Sequence, residues 1–181
     1  MRHGSWVDSR TKRLAWALAV LTLAMFVLLL GRPSFTNASR PPRFGSPQLA
    51  LQFARSVEEV DWILGDAPSA DREVMRIKQY IDFGFIACYT SFLLTCSVLL
   101  VRASGWRQVV GIAAGICALA TGIFDVLENR AILDLLDVRL RSTTPAMIQA
   151  IRSASSAKWT LAAVTVVLLV SGLRRRRNLP R

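Results

Sequence analysis

The stretch of sequence that decides the fold runs from residue 109 to residue 136 and reads VVGIAAGICALATGIFDVLENRAILDLL. Its first part is almost entirely apolar, and the polar string from Asp125 to Asn129 follows. A helix rises about 1.5 Å per residue and the hydrocarbon core of a bilayer is about 30 Å thick, so a helix of this length crosses it. The stretch therefore predicts a transmembrane helix with acidic groups near one end.

The composition of the whole chain also indicates a membrane protein. Of its 181 residues, 52% are hydrophobic and only 19% are charged, yet 23 Lys and Arg oppose 12 Asp and Glu, for a net charge of +11. A soluble domain carries about 25% charged residues, and a basic nucleic-acid-binding chain is far less apolar. We expect one integral membrane domain over residues 1–181, with the lipid bilayer as its partner and no nucleic acid.

The residue counts exclude several familiar sites. The three cysteines have no CxxC spacing, and the single histidine, His3, lies at the N-terminus. A disulfide scaffold, the common Cys and His zinc sites and a histidine-based acyl-transfer site in the body of the chain are therefore excluded.

Three further apolar runs predict three further membrane-spanning helices, which makes the fold an all-α, polytopic four-helix transmembrane bundle. We expect the spans at about residues 14–31, 80–101, 108–136 and 155–173. The last run reaches membrane length only if Lys158 lies inside the helix. A secretory signal peptide is the alternative for the first run, but its long apolar core and the absence of an A-x-A site favour a retained helix.

The long loop of residues 32–79, expected on the outer side, contains a helix of its own. Ser46 and Pro47 are typical of an N-cap and a first-turn residue. Apolar residues then recur every three or four positions, at Leu49, Phe53, Val57, Val60 and Leu64. This spacing predicts an amphipathic helix at about residues 47–64, which either lies on the membrane surface or caps the bundle.

The basic residues predict the orientation. The N-terminal tail, the loop between the second and third spans and the C-terminal tail together hold 11 basic residues and one acid, Asp8. The 32–79 loop holds seven basic residues and six acids. Basic segments stay in the cytoplasm, so both termini should be cytoplasmic. Arg outnumbers Lys 20 to 3, which suggests a GC-rich bacterial genome and hence the bacterial cytoplasmic membrane.

Ionisable residues inside the spans indicate where the polar chemistry lies, because charge in hydrocarbon must face the bundle or water. Their depths can be counted at about 1.5 Å per residue from the cytoplasmic arginines. By this count four ionisable residues fall in one layer near the outer boundary, namely Asp82, Asp125, Glu128 and Lys158. Tyr89 lies on the same helix face as Asp82. We expect an outer polar pocket walled by the second, third and fourth spans and formed by Asp82, Tyr89, Asp125, Glu128, Asn129 and Lys158.

Three carboxylates against one ammonium leave this pocket short of positive charge. Either one acid is protonated, or a cation or cationic substrate completes the pocket. Oxygen ligands suit a divalent ion such as Mg²⁺, Ca²⁺ or Mn²⁺, although the sequence assigns no metal site. The structural alternative is that Lys158 pairs with Asp125 or Glu128 only to fix the helix register.

Small residues form a stripe along the third span. Gly111, Gly115, Ala118 and Gly122 follow one another at spacings of four, three and four residues. Small residues allow helices to approach closely, so the stripe predicts a packing surface for another span, a partner membrane protein or a second copy of the chain.

Three functions are compatible with these features, and the sequence leaves open whether the chain is an enzyme. The leading hypothesis is an accessory or interaction protein with an outer polar pocket, since no catalytic constellation is complete. The alternative is an integral membrane enzyme or a lipid- or cation-binding protein that uses the same pocket, with Asp125 or Glu128 as general base or metal ligand. Ion transport is disfavoured because the inner half of the bundle offers no polar path.

Overall fold

The computed structural model of the protein describes residues 3–31, 34–35, 46–65, 69–137 and 143–174. All regular secondary structure in these ranges is helical. The six helices are α1 (His3–Leu30), α2 (Pro47–Gln52), α3 (Val57–Leu64), α4 (Ala70–Val101), α5 (Trp106–Leu135) and α6 (Pro145–Arg174).

Four of the described helices, α1, α4, α5 and α6, are long and apolar enough to cross a membrane. The prediction of an all-α transmembrane bundle is therefore confirmed. Three of the helices, α1, α4 and α6, begin about ten residues before the apolar runs that predicted them, and side-chain caps precede two of these three. The Ser69 side chain accepts a hydrogen bond from the Arg72 amide and starts α4 at Ala70, and Thr144 accepts one from the Met147 amide before α6. Caps, rather than the membrane boundary, set these helix ends.

The predicted loop helix of residues 47–64 is divided into α2 and α3. Ser56 interrupts it: its side chain accepts a hydrogen bond from the Glu59 amide at 3.2 Å, and the Glu59 carboxylate accepts one from the Arg55 amide at 2.9 Å. This reciprocal bonding resembles a capping box, which starts a new helix. The Ser-x-x-Glu spacing is visible in the sequence, whereas the apolar periodicity continues across the break.

Helices α2 and α3 cover one end of the bundle, which we call the capped end. Their apolar residues form a buried cluster with α4, α5 and α6. Its members include Leu51, Val60, Leu64, Met75, Ile132, Leu135, Ile148 and Ile151. Of the two positions expected for the amphipathic segment, the structure shows the one on the end of the bundle.

The four long helices pack in a row. Within the described residues, α1 packs on α4, α4 on α5 and α5 on α6, whereas α1 and α6 share no extensive contact. Lys78 fixes the end of α1, because its buried ammonium donates hydrogen bonds to the carbonyl oxygens of Leu29 and Gly31. Such bonds satisfy carbonyls that a helix leaves unpaired at its C-terminus.

The small-residue stripe of α5 faces α4. A β-carbon added at Gly111 would lie 2.7 Å from the Val101 nitrogen and 2.9 Å from the Ser97 carbonyl oxygen, so no side chain fits there. A β-carbon at Gly122 would lie 2.6 Å from the Thr90 hydroxyl oxygen. At Gly115 the nearest atom, the Ser97 β-carbon, would be 3.5 Å away, an ordinary contact. Ala118 is fully buried.

These distances predict opposite effects for two matched substitutions. Gly111→Ala should lower the melting temperature of the detergent-solubilised protein, because the α4 backbone must shift and overpacking costs about 1–3 kcal/mol. Gly115→Ala should leave it unchanged or raise it, since alanine is the better helix former by about 1 kcal/mol. Equal effects of the two substitutions on thermal unfolding would show that Gly111 is not in close contact with α4.

Candidate functional site

The polar side chains predicted to converge lie in one layer beneath the capped end. Asp82, Asp125 and Lys158 are each seven residues from a buried member of the apolar cluster, namely Met75, Ile132 and Ile151. Seven residues are about two helical turns, or roughly 10 Å, and return to nearly the same helix face. The three helices α4, α5 and α6 therefore deliver these groups to a common depth and toward one another.

Lys158 joins α6 to α5. Its ammonium nitrogen lies 2.9 Å from Asp125 Oδ1 and 2.9 Å and 2.8 Å from the two carboxylate oxygens of Glu128. All three side chains are buried, and Glu128 is fully so. Charged groups in such surroundings are retained when they are paired and hydrogen-bonded, as these are.

Two further hydrogen bonds join α4 to α5. The Tyr89 hydroxyl donates to Asp125 Oδ2 at 2.7 Å, and the Asn129 side-chain nitrogen donates to Asp82 Oδ2 at 2.9 Å. Asp125 thus accepts from both Tyr89 and Lys158 and connects the two neighbouring helices to its own. The structure brings together all six residues named for the pocket, in the order Asp82–Asn129 and Tyr89–Asp125–Lys158–Glu128.

A cavity of about 430 Å³ lies beside this network. It is bounded by α1, α2, α4, α5 and α6, and most of its wall is apolar. Asp82, Tyr89, Asp125 and Lys158 form part of the wall, whereas Glu128 and Asn129 do not line it. The six residues therefore divide into four that contact the cavity and two that lie behind them.

Two walls of the cavity were not predicted from the sequence. The pocket was expected between the second, third and fourth spans, but Phe26, Leu29 and Leu30 of α1 also line it. At the capped end, the Trp159 indole nitrogen donates to the Gln52 side-chain oxygen at 3.1 Å, and both residues line the cavity. The sequence does not indicate that Gln52 lines the cavity, because this role depends on where α2 packs against the bundle.

The geometry separates the two residues named as candidates for catalysis or metal binding. Glu128 does not contact the cavity, and both of its carboxylate oxygens face the Lys158 ammonium. Asp125 lines the cavity, but both of its oxygens accept hydrogen bonds. In the described part of the chain no group of three or more His, Cys, Asp and Glu side chains is arranged to hold a metal ion. Lys158 occupies the position between two carboxylates that a cation would otherwise take.

Comparisons of the chain with protein-family models, with curated proteins and with solved structures find no match.

The ion pairs predict a strong dependence of stability on Lys158. Lys158→Met should lower the free energy of unfolding by about 3–5 kcal/mol, because two buried carboxylates lose their counter-ion. Adding Asp125→Asn and Glu128→Gln to that variant should restore much of the loss, since the buried negative charges are then gone. Thermal unfolding in detergent measures both effects, with Arg130→Met, at an exposed position of α5, as the control for loss of a basic side chain. A Lys158→Met protein as stable as this control would contradict the assigned ion pairs.

Proposed function

We propose that this integral membrane protein binds a small amphipathic molecule in the cavity between α1, α4 and α6. The observation that carries the proposal is the position of Asp82, Tyr89, Asp125 and Lys158 on the wall of a cavity that is otherwise mostly apolar. The apolar part of the ligand would lie along the helices, and its polar part would lie at these four side chains.

The size and lining of the cavity support this proposal. Sites for small molecules typically measure about 300–1,000 Å³ and are mostly apolar, with a few polar groups that orient the ligand. The cavity lies between α1 and α6, which share no extensive contact within the described residues. A molecule dissolved in the bilayer would thus have a route between these two helices, without crossing the capped end.

A purely structural role explains only part of the network. A register lock requires Lys158, Asp125 and Glu128 to be paired, and they are. It does not require a cavity beside the pair, because protein interiors are normally close-packed. Four polar residues facing such a space are better explained by a ligand than by helix register alone.

The accessory-protein hypothesis loses one of its supports. The small-residue stripe was a candidate surface for a partner, but at Gly111 and Gly122 this surface already packs against α4 of the same chain. A catalytic role is also less well supported than binding, because Asp125 uses both oxygens and Glu128 does not reach the cavity. Ligand binding does not require Asp125 or Glu128 to give up these hydrogen bonds or ion pairs.

We also propose that the termini are cytoplasmic and that the capped end faces the outside. Arg102 directly follows α4 and Arg107 lies in the first turn of α5; Arg102 donates a hydrogen bond to the Thr11 hydroxyl and Arg107 donates one to the Gly172 carbonyl oxygen. The turn is therefore at the end of the bundle opposite the cap. Basic residues favour the cytoplasmic side, so the basic turn supports this orientation.

Reporter fusions test the orientation. A reporter that is active only in the cytoplasm should score positive when fused after Arg181 and negative when inserted in the 32–79 loop, because the positive charge is concentrated at the two termini and the α4–α5 turn. The reverse pattern, with both fusions correctly expressed, would place the cavity on the cytoplasmic side.

Filling the cavity tests ligand binding. Ala162 lines the cavity and Ala163 is exposed on the adjacent face of α6, so Ala162→Phe and Ala163→Phe form a matched pair. Bound ω-bromodecanol should quench the fluorescence of Trp159. The Trp159 contribution is the part of the fluorescence quenching that disappears when Trp159→Phe is introduced. We expect Ala162→Phe to abolish this quenching and Ala163→Phe to leave it intact, because only the first removes ligand volume. Equal quenching in both variants would contradict binding in the cavity.

A further inference from the structure

The charges around the cavity do not balance. Lys158 is shared between Asp125 and Glu128, and no basic side chain among the described residues forms an ion pair with Asp82. Asp82 is 6% exposed, and within the described ranges its one hydrogen-bond donor is the neutral amide of Asn129. A carboxylate in an apolar cavity is stable in its charged form only with a counter-ion. Asp82 therefore lacks a positive partner on the side that faces the cavity.

A second acceptor beside Asp82 is also unsatisfied. The Asn129 amide turns its nitrogen toward Asp82 Oδ2, at 2.9 Å, which fixes the direction of its oxygen. That oxygen is fully buried and has no hydrogen-bond donor in the part of the chain that the structure describes. Buried polar atoms without partners are rare in native proteins. The region around Asp82 thus has more acceptors than donors.

Aromatic rings line the same cavity as Asp82. Phe26 of α1, Phe85 and Tyr89 of α4 form a continuous column, with ring centroids 5.9 Å apart for the first pair and 5.2 Å for the second. All three line the cavity together with Asp82. Aromatic faces attract cations, and a carboxylate beside aromatic rings is a common arrangement for binding ammonium groups.

We infer that the cavity selects an amphiphile whose polar end is cationic, such as an alkyl amine or a quaternary ammonium compound. This inference rests on the proposed binding function and specifies the class of ligand. The ligand's positive charge would lie against Asp82, with the aromatic column around it and its apolar chain between α1 and α6. Anionic amphiphiles would be disfavoured, because Lys158, the one cation among the described residues that line the wall, is already neutralised by two carboxylates.

Three probes with the same brominated ten-carbon chain test the inference on the unmodified protein in neutral detergent. They are ω-bromodecylammonium, ω-bromodecanol and ω-bromodecanoate, and the readout is the Trp159-dependent quenching. We expect the ammonium probe to bind about tenfold more tightly than the alcohol, the gain of one charge-assisted contact, and the carboxylate probe to bind least. Equal binding of all three, or tighter binding of the carboxylate, would overturn the inference and leave the binding function intact.

A matched pair of variants locates the selectivity. Asp82→Asn keeps an oxygen for Asn129 and should remove the preference for the ammonium probe while binding of the alcohol persists. Asp134→Asn removes the same charge from an exposed position on α5. It should change neither the preference for the ammonium probe nor the binding of the alcohol probe. If Asp82→Asn retains the full preference, Asp82 is not the recognition group and the inference fails. If no probe quenches Trp159 in any protein, the binding function itself fails.

Discussion

The burial of Lys158 between Asp125 and Glu128 is the interaction on which the rest of the structure depends. An ammonium and two carboxylates at this depth are tolerated only if the helices carrying them meet at one level and in one rotational phase. The contacts of 2.8–2.9 Å fix the register of α6 against α5, and the Tyr89 bond to Asp125 extends the same register to α4. Glycines in α5 then let α4 approach closely enough for these bonds to form.

The cavity follows from how the remaining elements are attached. Among the described helices, α1 has extensive contact with α4 only, and Lys78 holds the end of α1 by donating to the Leu29 carbonyl oxygen. This leaves a space between α1 and α6 that no side chain in the described ranges fills. Helix α2 closes the space at the capped end through the Gln52–Trp159 bond. The ion-paired network thus becomes one wall of the cavity, and the proposed preference for cationic ligands rests on its uncompensated member, Asp82.

Much of this arrangement can be read from the sequence, because hydropathy, helical phase and distance from basic anchors are local properties. They predict four spans, the layer of polar residues and the six side chains that meet there. They do not predict the division of the loop helix at Ser56, which depends on a cap rather than on periodicity. Nor do they predict that α1 and Gln52 line the cavity, because those contacts join segments far apart in the chain. Likewise, the sequence names both Glu128 and Asp125 as candidates, and only the packing shows that Asp125 lines the cavity whereas Glu128 lies behind its wall.

A cryo-electron microscopy map of the protein in lipid nanodiscs would show whether the polar network borders a ligand-binding space. We expect elongated density between α1 and α6, with its polar end in contact with Asp82, while Lys158 stays paired with Asp125 and Glu128. A map in which α1 packs tightly on α6, with no space beside Asp82, would contradict this expectation and would leave the network as a register lock alone.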